Sequence, residues 1–284
     1  MEVIDTSVIA SVFDSTVDNA LNALTNNGDA FFNAVYDVFQ GFYEVTLDVL
    51  QLAPWYAFAI VLGVLGWRLI SAWFGVFVAV GFALCWAMGL WDDTMSTFAL
   101  VFCATILAVS FALPMGIILG FSGKAERFIE PVLDLIQTLP PYVYLLPALA
   151  LLGFSAATAL AATLVVAAPP AVRLTALGIR MTPREYIELG QAMGMTNFQM
   201  FFKIRLPFAL PSIMAGINQS MMMAFGMVVI AGIVGSGGLG QTIYDAIRTL
   251  NIGKSIDAAI AIVVLTIIMD RFTQNLIRFG VSSS

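Results

Sequence analysis

The residue types that most often carry chemistry in proteins are sparse in this sequence. It contains no histidine and two cysteines, Cys85 and Cys103, which both stand in apolar runs. The absence of histidine excludes histidine-ligated metals, haem and histidine-based acid–base catalysis. Two cysteines in apolar runs are typical of packing between helices rather than of a disulfide or a metal site. We therefore expect no catalytic residue and no metal site in this chain.

Residues 235–242, Gly-Ser-Gly-Gly-Leu-Gly-Gln-Thr, resemble a phosphate-binding loop except at one position. Gln241 stands where that loop has the lysine whose cation balances the β- and γ-phosphates. A glycine-rich turn that allows two backbone segments to approach closely explains the same residues without a ligand. The sequence therefore favours a turn over a nucleotide site.

Polar side chains are rare inside the apolar stretches. Asn218, Gln219 and Ser220 form the clearest polar cluster, which suits either hydrogen bonding between helices or the lining of a path for a polar solute. Carboxylates fall near the ends of the stretches and not at their centres. A transporter driven by protons or sodium usually needs a buried carboxylate or a broken-helix site. The placement counts against such a transporter and suits a solute without net charge.

Composition indicates which elements must position these residues. The chain has 284 residues, of which 60% are hydrophobic and 11% charged, whereas an average soluble domain has about 25% charged residues. So little polar surface cannot cover a water-facing globule of this length. This excludes a soluble enzyme, a nucleic-acid binder and a disordered chain. We therefore predict an all-α, polytopic transmembrane helical bundle.

The first fifty residues differ in charge from the rest. They hold eight acids and no lysine or arginine, whereas the remainder holds ten acids and twelve bases. Residues 1–29 are predicted to be an acidic, loosely ordered extracytoplasmic N-terminus and not a cleaved signal peptide. Residues 30–52 carry a polar and an apolar stripe at helical spacing, which predicts an amphipathic interfacial helix. The apolar stripe comprises Phe31, Val35, Val38, Phe42, Val45 and Val49.

The remaining chain contains seven apolar stretches, which predict about seven spans. They lie at about residues 54–70, 72–91, 96–121, 141–155, 157–179, 208–234 and 256–277. Pro140 and Pro141 predict a bend at the entry to the fourth. If the loop at 180–207 is cytoplasmic, ten of the twelve bases lie on that side, and only Arg248 and Lys254 lie outside. The positive-inside rule therefore predicts an external N-terminus and a cytoplasmic C-terminus.

The loop at residues 180–207 is the longest connection between predicted spans. Thr182 and Pro183, with Glu185 three residues after the threonine, predict a capped helix start. Gly194 predicts the end of that helix. A plain connection between two spans would need neither signal, so the loop is predicted to be a functional element.

The second half of the loop predicts another short helix, capped by Thr196, before Pro207 closes the loop. The whole loop also shows a pattern with fixed spacing: Glu188-Leu189-Gly190, then Gly194, then Ile204-x-Leu206-Pro207. This pattern resembles the EAA loop of ABC-importer permeases, which begins Glu-Ala-Ala and has the same spacing. Leu189 and Gly190 replace the two alanines.

Further stretches are similar to the permease subunit of glycine betaine and proline betaine importers. The similarity covers about residues 53–277 and is carried by residues 137–140, 169–175, 206–219 and 237–241. It implies a permease domain of the type I ABC-importer kind at residues 53–280. It also implies a methylated amine as substrate: glycine betaine, proline betaine, choline, carnitine or trimethylamine N-oxide.

The resemblance further implies partners for this chain in a bacterial cytoplasmic (inner) membrane. They are an ABC ATPase dimer that binds ATP and Mg, a second permease copy, which we expect to be identical, and a separate extracytoplasmic substrate-binding protein. The first short helix of the loop would dock on the ATPase. The residues assigned to this coupling are Glu185, Glu188, Gly190, Gly194 and Pro207. The chain itself would hold no cofactor and bind no nucleic acid.

The translocation path is assigned to Asn218, Gln219, Ser220, Tyr142 and Tyr144. The two tyrosines suit either interfacial anchors or cation–π contact with a methylated ammonium group. The alternative to an ATP-driven importer is an ion-coupled secondary transporter or channel that acts without an ATPase. The long capped loop and the missing phosphate-loop lysine favour the importer.

Overall fold

The computed structural model describes the backbone of residues 6–282 and the side chains of residues 28–275, together with those of residues 15, 16 and 19. This described part is helical and contains no strand, which confirms the all-α prediction. The helices are α1 (Thr6–Gln51), α2 (Trp55–Leu69), α3 (Ala72–Ala87), α4 (Trp91–Phe121), α5 (Gly123–Thr138), α6 (Leu145–Leu152), α7 (Ala156–Arg180), α8 (Arg184–Ala192), α9 (Asn197–Met200), α10 (Leu206–Ala231), α11 (Gly238–Arg248) and α12 (Ile252–Ser282).

Helices α4, α7 and α10 form the centre of the bundle and meet at small residues. A Cβ atom at Gly116 of α4 would lie 2.7 Å from the Val172 carbonyl oxygen of α7. One at Gly178 of α7 would lie 3.0 Å from the Ala209 carbonyl oxygen of α10. Helices in lipid associate through such close packing, because lipid tails are as apolar as the helix surfaces. The glycines therefore set the spacing of the central helices.

Helices α2 and α3 form an antiparallel hairpin that packs along α12. The ring of Phe74, near the start of α3, contacts that of Phe272 with 5.6 Å between centroids, and Gly81 farther along α3 lies against Val264. The Asn275 side-chain amide donates a hydrogen bond to the Leu69 carbonyl at the hairpin turn. The hairpin therefore packs on α12 between Val264 and Asn275 through α3, which runs antiparallel to it.

The structure has fewer full-length spans than the seven apolar stretches of the sequence. Among the described residues, four helical runs are long and apolar enough to cross a membrane, or up to six if two bent pairs each form one span. The hairpin helices have 15 and 16 residues and are about 23 Å long, shorter than the ~30 Å hydrocarbon layer. The fourth predicted span contains only the 3₁₀ turn Pro141–Tyr144 and α6, which are too short to cross alone. The bend predicted at its entry is present: α5 meets this segment at 107° beside Pro140 and Pro141.

Helix α1 is longer than predicted. It begins at Thr6 rather than near residue 30, so the prediction of a loosely ordered segment at residues 1–29 is wrong for the backbone from Thr6 onward. The predicted boundary at residue 30 is absent because α1 continues through it without a break. The axes of α2 and of the part of α1 from Gly28 to Gln51 differ by 91°.

Helix α1 contacts α4, α6 and α7 through a face that overlaps the predicted apolar stripe only in part. Phe42 of that stripe packs against the core, and Val35 lies beside residues of α6 and α7. Tyr43 is buried and shares a 2.6 Å hydrogen bond with Ser96 of α4. The Gln40 side chain accepts a 3.2 Å hydrogen bond from the Ala157 amide at the start of α7. Three valines of the predicted stripe, Val38, Val45 and Val49, are exposed. The packed face is therefore rotated from the predicted stripe, and helical periodicity alone does not indicate by how much.

Candidate functional site

The long loop folds as two short helices that lead into a span. Helix α8 (Arg184–Ala192) follows α7, and α9 (Asn197–Met200) continues through a π turn (Phe201–Arg205) into α10. This confirms the prediction of two helices joined near a glycine. It corrects the prediction that Pro207 closes the loop, because the helical run from Asn197 to Val234 is continuous. The π turn ends just before the proline, whose ring would otherwise clash with the carbonyl of Lys203.

The predicted N-terminal cap is present at only one of the two short helices. Thr196 and Gln199 form the capping box of α9: the Gln199 amide donates to Thr196 Oγ1 at 3.3 Å, and the Thr196 amide donates to Gln199 Oε1 at 3.0 Å. Thr182 does not cap α8. Its hydroxyl donates to the Ile179 carbonyl at 2.9 Å and so extends the end of α7, while Pro183 precedes α8 without a side-chain cap. The predicted capping box with Glu185 is therefore absent.

Helix α8 ends and is held in place by glycines. Gly194 has φ +73°, a left-handed conformation that favours glycine. The Met195 amide donates to the Gly190 carbonyl at 3.0 Å, which closes the helix end. Gly190 itself is buried, and a Cβ atom there would lie 2.6 Å from Met200 Cε and 2.9 Å from Ile204 Cδ1. The small residue therefore lets α8 pack directly on α9 and the π turn.

The opposite side of α8 is exposed and has no contact with the described part of the bundle. Glu185 and Glu188 are exposed, and no hydrogen bond or ion pair of either carboxylate is found among the described side chains. Leu189 and Met193 add exposed apolar surface, with 55% and 67% of their area accessible. Leu189 thus replaces the small residue of the EAA pattern without disturbing the packing, since its side chain points away from α9. This face combines negative charge with apolar area.

The residues assigned to a path do not form a single cluster. Ser220 is buried and donates a hydrogen bond to the Ala167 carbonyl of α7, so it links two helices. Gln219 is exposed, and Asn218 Oδ1 is buried without a hydrogen-bond partner in the described part of the chain. Tyr144 donates its hydroxyl to the Ile136 carbonyl at 2.9 Å, whereas Tyr142 is exposed.

Two ion pairs beside the loop were missed by sequence analysis. Arg180, the last residue of α7, pairs with Glu126 of α5, and Arg173 pairs with Asp134. Arg173 also donates to Gln137 Oε1 at 2.8 Å. The pairs connect residues far apart in sequence, and only the antiparallel packing of α5 on α7 brings them together. Their regular spacing along both helices is the signal that could have indicated them.

The glycine-rich segment at residues 235–242 forms a turn and then the start of α11, which begins at Gly238, and it lies against α4. The Leu239 amide donates to Thr97 Oγ1 at 2.8 Å, and the Gly237 amide donates to Gln241 Oε1 at 3.0 Å. Thr242 donates to Asp93 Oδ2 at 2.6 Å. These two amides therefore already have hydrogen-bond partners within the protein.

An all-helical membrane bundle whose longest loop presents an exposed, glycine-anchored helix is the architecture of a transport permease. The sequence model of the family described as "Binding-protein-dependent transport system inner membrane component" matches residues 112–279. The chain belongs to this family and is a multi-pass permease subunit of the inner membrane.

Curated relatives and solved structures agree with this assignment. The chain is 36% identical over 260 residues to the glycine betaine transport system permease protein OpuAB of Bacillus subtilis, covering 92% of each chain. It is 37% identical over 270 residues to the glycine betaine/carnitine transport permease protein GbuB of Listeria monocytogenes, covering 92% of this chain and 93% of GbuB. An inward-facing structure of the MetNI methionine ABC transporter matches with a TM-score of 0.62 at 23% identity, over 67% of this chain and 95% of the matched chain.

Proposed function

We propose that this chain is the permease subunit of an ATP-driven importer of glycine betaine or a related methylated amine. The observation that carries the proposal is the similarity along nearly the whole chain to permeases of glycine betaine transport. More distant relatives are named for trimethylamine N-oxide, carnitine and choline transport. These solutes share a methylated nitrogen, which defines the substrate class. An interior without a carboxylate at a span centre suits solutes of low net charge.

The exposed face of α8 is the proposed docking site for an ABC ATPase. Glu185 and Glu188 offer charge to a basic partner surface, while Leu189 and Met193 offer apolar area. Gly190 and Gly194 hold α8 on the continuous α9–α10 run, so force on α8 passes to a span. ATP and Mg would bind to the ATPase, and the bonded amides at residues 235–242 support the absence of a nucleotide site here.

A second, identical permease copy would complete the translocation path. Helix α10 presents an exposed stripe at Ala215, Gln219, Met222 and Gly226, which recur at steps of three and four. The 3₁₀ turn Pro141–Tyr144, which carries Tyr142 and Tyr144, packs against α10. Gln219, Asn218 and Tyr142 are the proposed solute contacts, and Ser220 supports them by holding α10 against α7.

The proposed orientation places the loop and the C-terminus in the cytoplasm and the N-terminus outside. The hairpin of α2 and α3 would begin and end on the same side of the membrane. The orientation of the rest of the chain is therefore the same whether or not these two short helices cross the membrane fully. Since α2 follows α12 and α1 lies at 91° to α2, α1 would lie along the outer membrane surface. Its exposed valines suit lipid, and its acids suit water.

Reconstitution tests the proposal against an ion-coupled transporter. Permease in proteoliposomes, with its ATPase and binding protein, should accumulate labelled glycine betaine only when ATP is present. Omission of the ATPase should abolish uptake, and collapse of the proton and sodium gradients should leave it unchanged. Uptake driven by an ion gradient without the ATPase would establish the alternative.

A further inference from the structure

A cavity of about 410 Å³ lies beside the proposed docking helix. It is bordered by α8, the start of α9, the π turn and the C-terminal end of α4, and it is partly open to the outside. Ile187 and Gln191 contribute one wall from α8, and Phe121 closes it on the α4 side. A space of this size admits a side chain of another protein.

Arg205 is the one charged residue among those that line the cavity. Its guanidinium carbon lies 4.8 Å from the centroid of the Phe121 ring, a cation–π contact that leaves its N–H groups able to donate hydrogen bonds. The residue is half-buried. The two ion pairs found among the described residues involve Arg173 and Arg180, so Arg205 has no carboxylate partner there. A half-buried guanidinium without an acid is complementary to a planar anion.

Two side-chain amides add hydrogen-bond donors for an anion bound beside Arg205. Gln191 and Asn197 line the same cavity, and both are exposed on the loop rather than on a span. Each amide can donate a hydrogen bond to a carboxylate oxygen. Neither Glu185 nor Glu188 lines the cavity, so the loop does not supply its own acid.

We propose that the cavity receives an acidic side chain of the partner ATPase, with its carboxylate paired to Arg205 and hydrogen-bonded by Gln191 or Asn197. This inference rests on the proposed coupling to an ATPase. An ATPase residue is favoured over a lipid phosphate because the amides stand on the loop, beside the exposed face of α8. With Glu188 as an acidic contact and Arg205 as a basic one, the interface would fix the rotation of α8 about its axis.

The test measures affinity of the purified ATPase for the permease in nanodiscs of zwitterionic lipid. Arg205→Ala should weaken binding about tenfold or more and reduce its salt dependence. Arg205→Lys should give an intermediate affinity, because it keeps the charge but loses the planar group. Lys203→Ala, an exposed residue in the same π turn, should stay within about twofold of the unaltered protein.

The substitution Gln191→Glu distinguishes a role of Arg205 in ATPase binding from a role in the stability of the permease. The new carboxylate would pair with Arg205 inside the permease, so it should leave thermal stability unchanged or raised while it weakens ATPase binding. Unchanged affinity in Arg205→Ala would overturn the inference, and so would an Arg205→Ala effect confined to discs with anionic lipid, which would indicate a lipid site. Absence of ATPase binding by the unaltered permease would overturn the proposed function as well.

Discussion

Two adjacent residues of α8, Leu189 and Gly190, have different structural roles. Gly190 is buried under Met200 and Ile204, so its small size sets how closely α8 approaches the π turn. Leu189 is exposed and contributes surface instead of packing. The same helix thus contains a position that constrains the loop and a position that is free to serve a partner.

Substitutions at these two positions should separate stability from coupling. Gly190→Leu should destabilise the loop by about 1–3 kcal/mol, because the added atoms overpack the contact with Met200 and Ile204. Leu189→Ala should leave stability unchanged and weaken ATPase binding through lost apolar contact. Limited proteolysis of the loop and a binding titration measure the two effects. Equal proteolysis of Gly190→Leu and the unaltered protein would contradict the packing argument.

Charge reversal at Glu188 should uncouple the transporter. Glu188→Arg places a positive charge on the face proposed to dock on the ATPase, and we expect transport and substrate-stimulated ATP hydrolysis to fall about tenfold or more. The matched control is Glu130→Arg, an exposed acid on α5, which should retain both activities. Both variants should insert normally. Normal coupled hydrolysis in Glu188→Arg would exclude the assignment.

Sequence analysis predicted local features of the site better than contacts between distant residues. Gly194 was predicted as a helix end because glycine alone favours its conformation. The prediction that Thr182 caps α8 was wrong, because its hydroxyl can hydrogen-bond to the end of α7 as readily as to the start of α8. Arg205 was counted only as a cytoplasmic charge, since its stacking on Phe121 depends on how α4 and α10 meet.

At the scale of elements, the loop and the bundle are mechanically continuous. The helical run from Asn197 to Val234 connects the loop to a central span without a break. The ion pairs of Arg173 and Arg180 attach α5 to α7 just before the loop begins. Both features would carry a displacement of α8 into the helices that surround the path. Exposed ion pairs of this kind each contribute about 0.2–1 kcal/mol, so they suit an element that must move.

Two deletions should divide α1 into a dispensable and a structural part. Removal of residues 1–29 should leave membrane insertion and assembly intact, because the described hydrogen bonds of α1 with α4 and α7 all lie between Gln40 and Thr46. Removal of residues 1–52 should lower stability, since it deletes those hydrogen bonds, each worth about 1 kcal/mol, together with the packing of Leu47 and Leu50. Membrane yield and thermal unfolding measure the difference. Loss of insertion after the shorter deletion would contradict this division.

The elements themselves were predictable where length and periodicity agreed. α4, α7 and α12 follow from long apolar stretches, and the bend at Pro140 and Pro141 follows from proline geometry. The short hairpin was counted as two spans because apolar length alone does not reveal where a helix ends. The packed face of α1 was predicted only in part, because the helix is apolar on more than one side: Phe42 packs against the core, whereas Val38, Val45 and Val49 are exposed.

For the whole molecule, the distribution of polar groups limits what one permease can recognise. Along α10 the accessible polar side chain is Gln219, with the buried Asn218 oxygen beside it. The Ser220 hydroxyl already donates a hydrogen bond to the Ala167 carbonyl, and the Tyr144 hydroxyl donates one to the Ile136 carbonyl. Tyr142 is the remaining accessible aromatic group of the assigned set. In the proposed path, one tyrosine and one amide from each permease would be a weak basis for holding a quaternary amine, which tight sites surround with several aromatic rings.

Selectivity is therefore expected to reside mainly in the separate binding protein. A methylated ammonium group loses hydration when it binds. A path with one aromatic ring per copy would provide little cation–π stabilisation to offset that loss. We expect isothermal titration of the permease–ATPase complex in lipid with glycine betaine to give a Kd of about 1 mM or weaker. Titration in the presence of the binding protein should reveal the tight site, and Gln219→Ala should reduce transport without changing that tight affinity. Micromolar binding by the complex alone would show that the permease itself selects the solute.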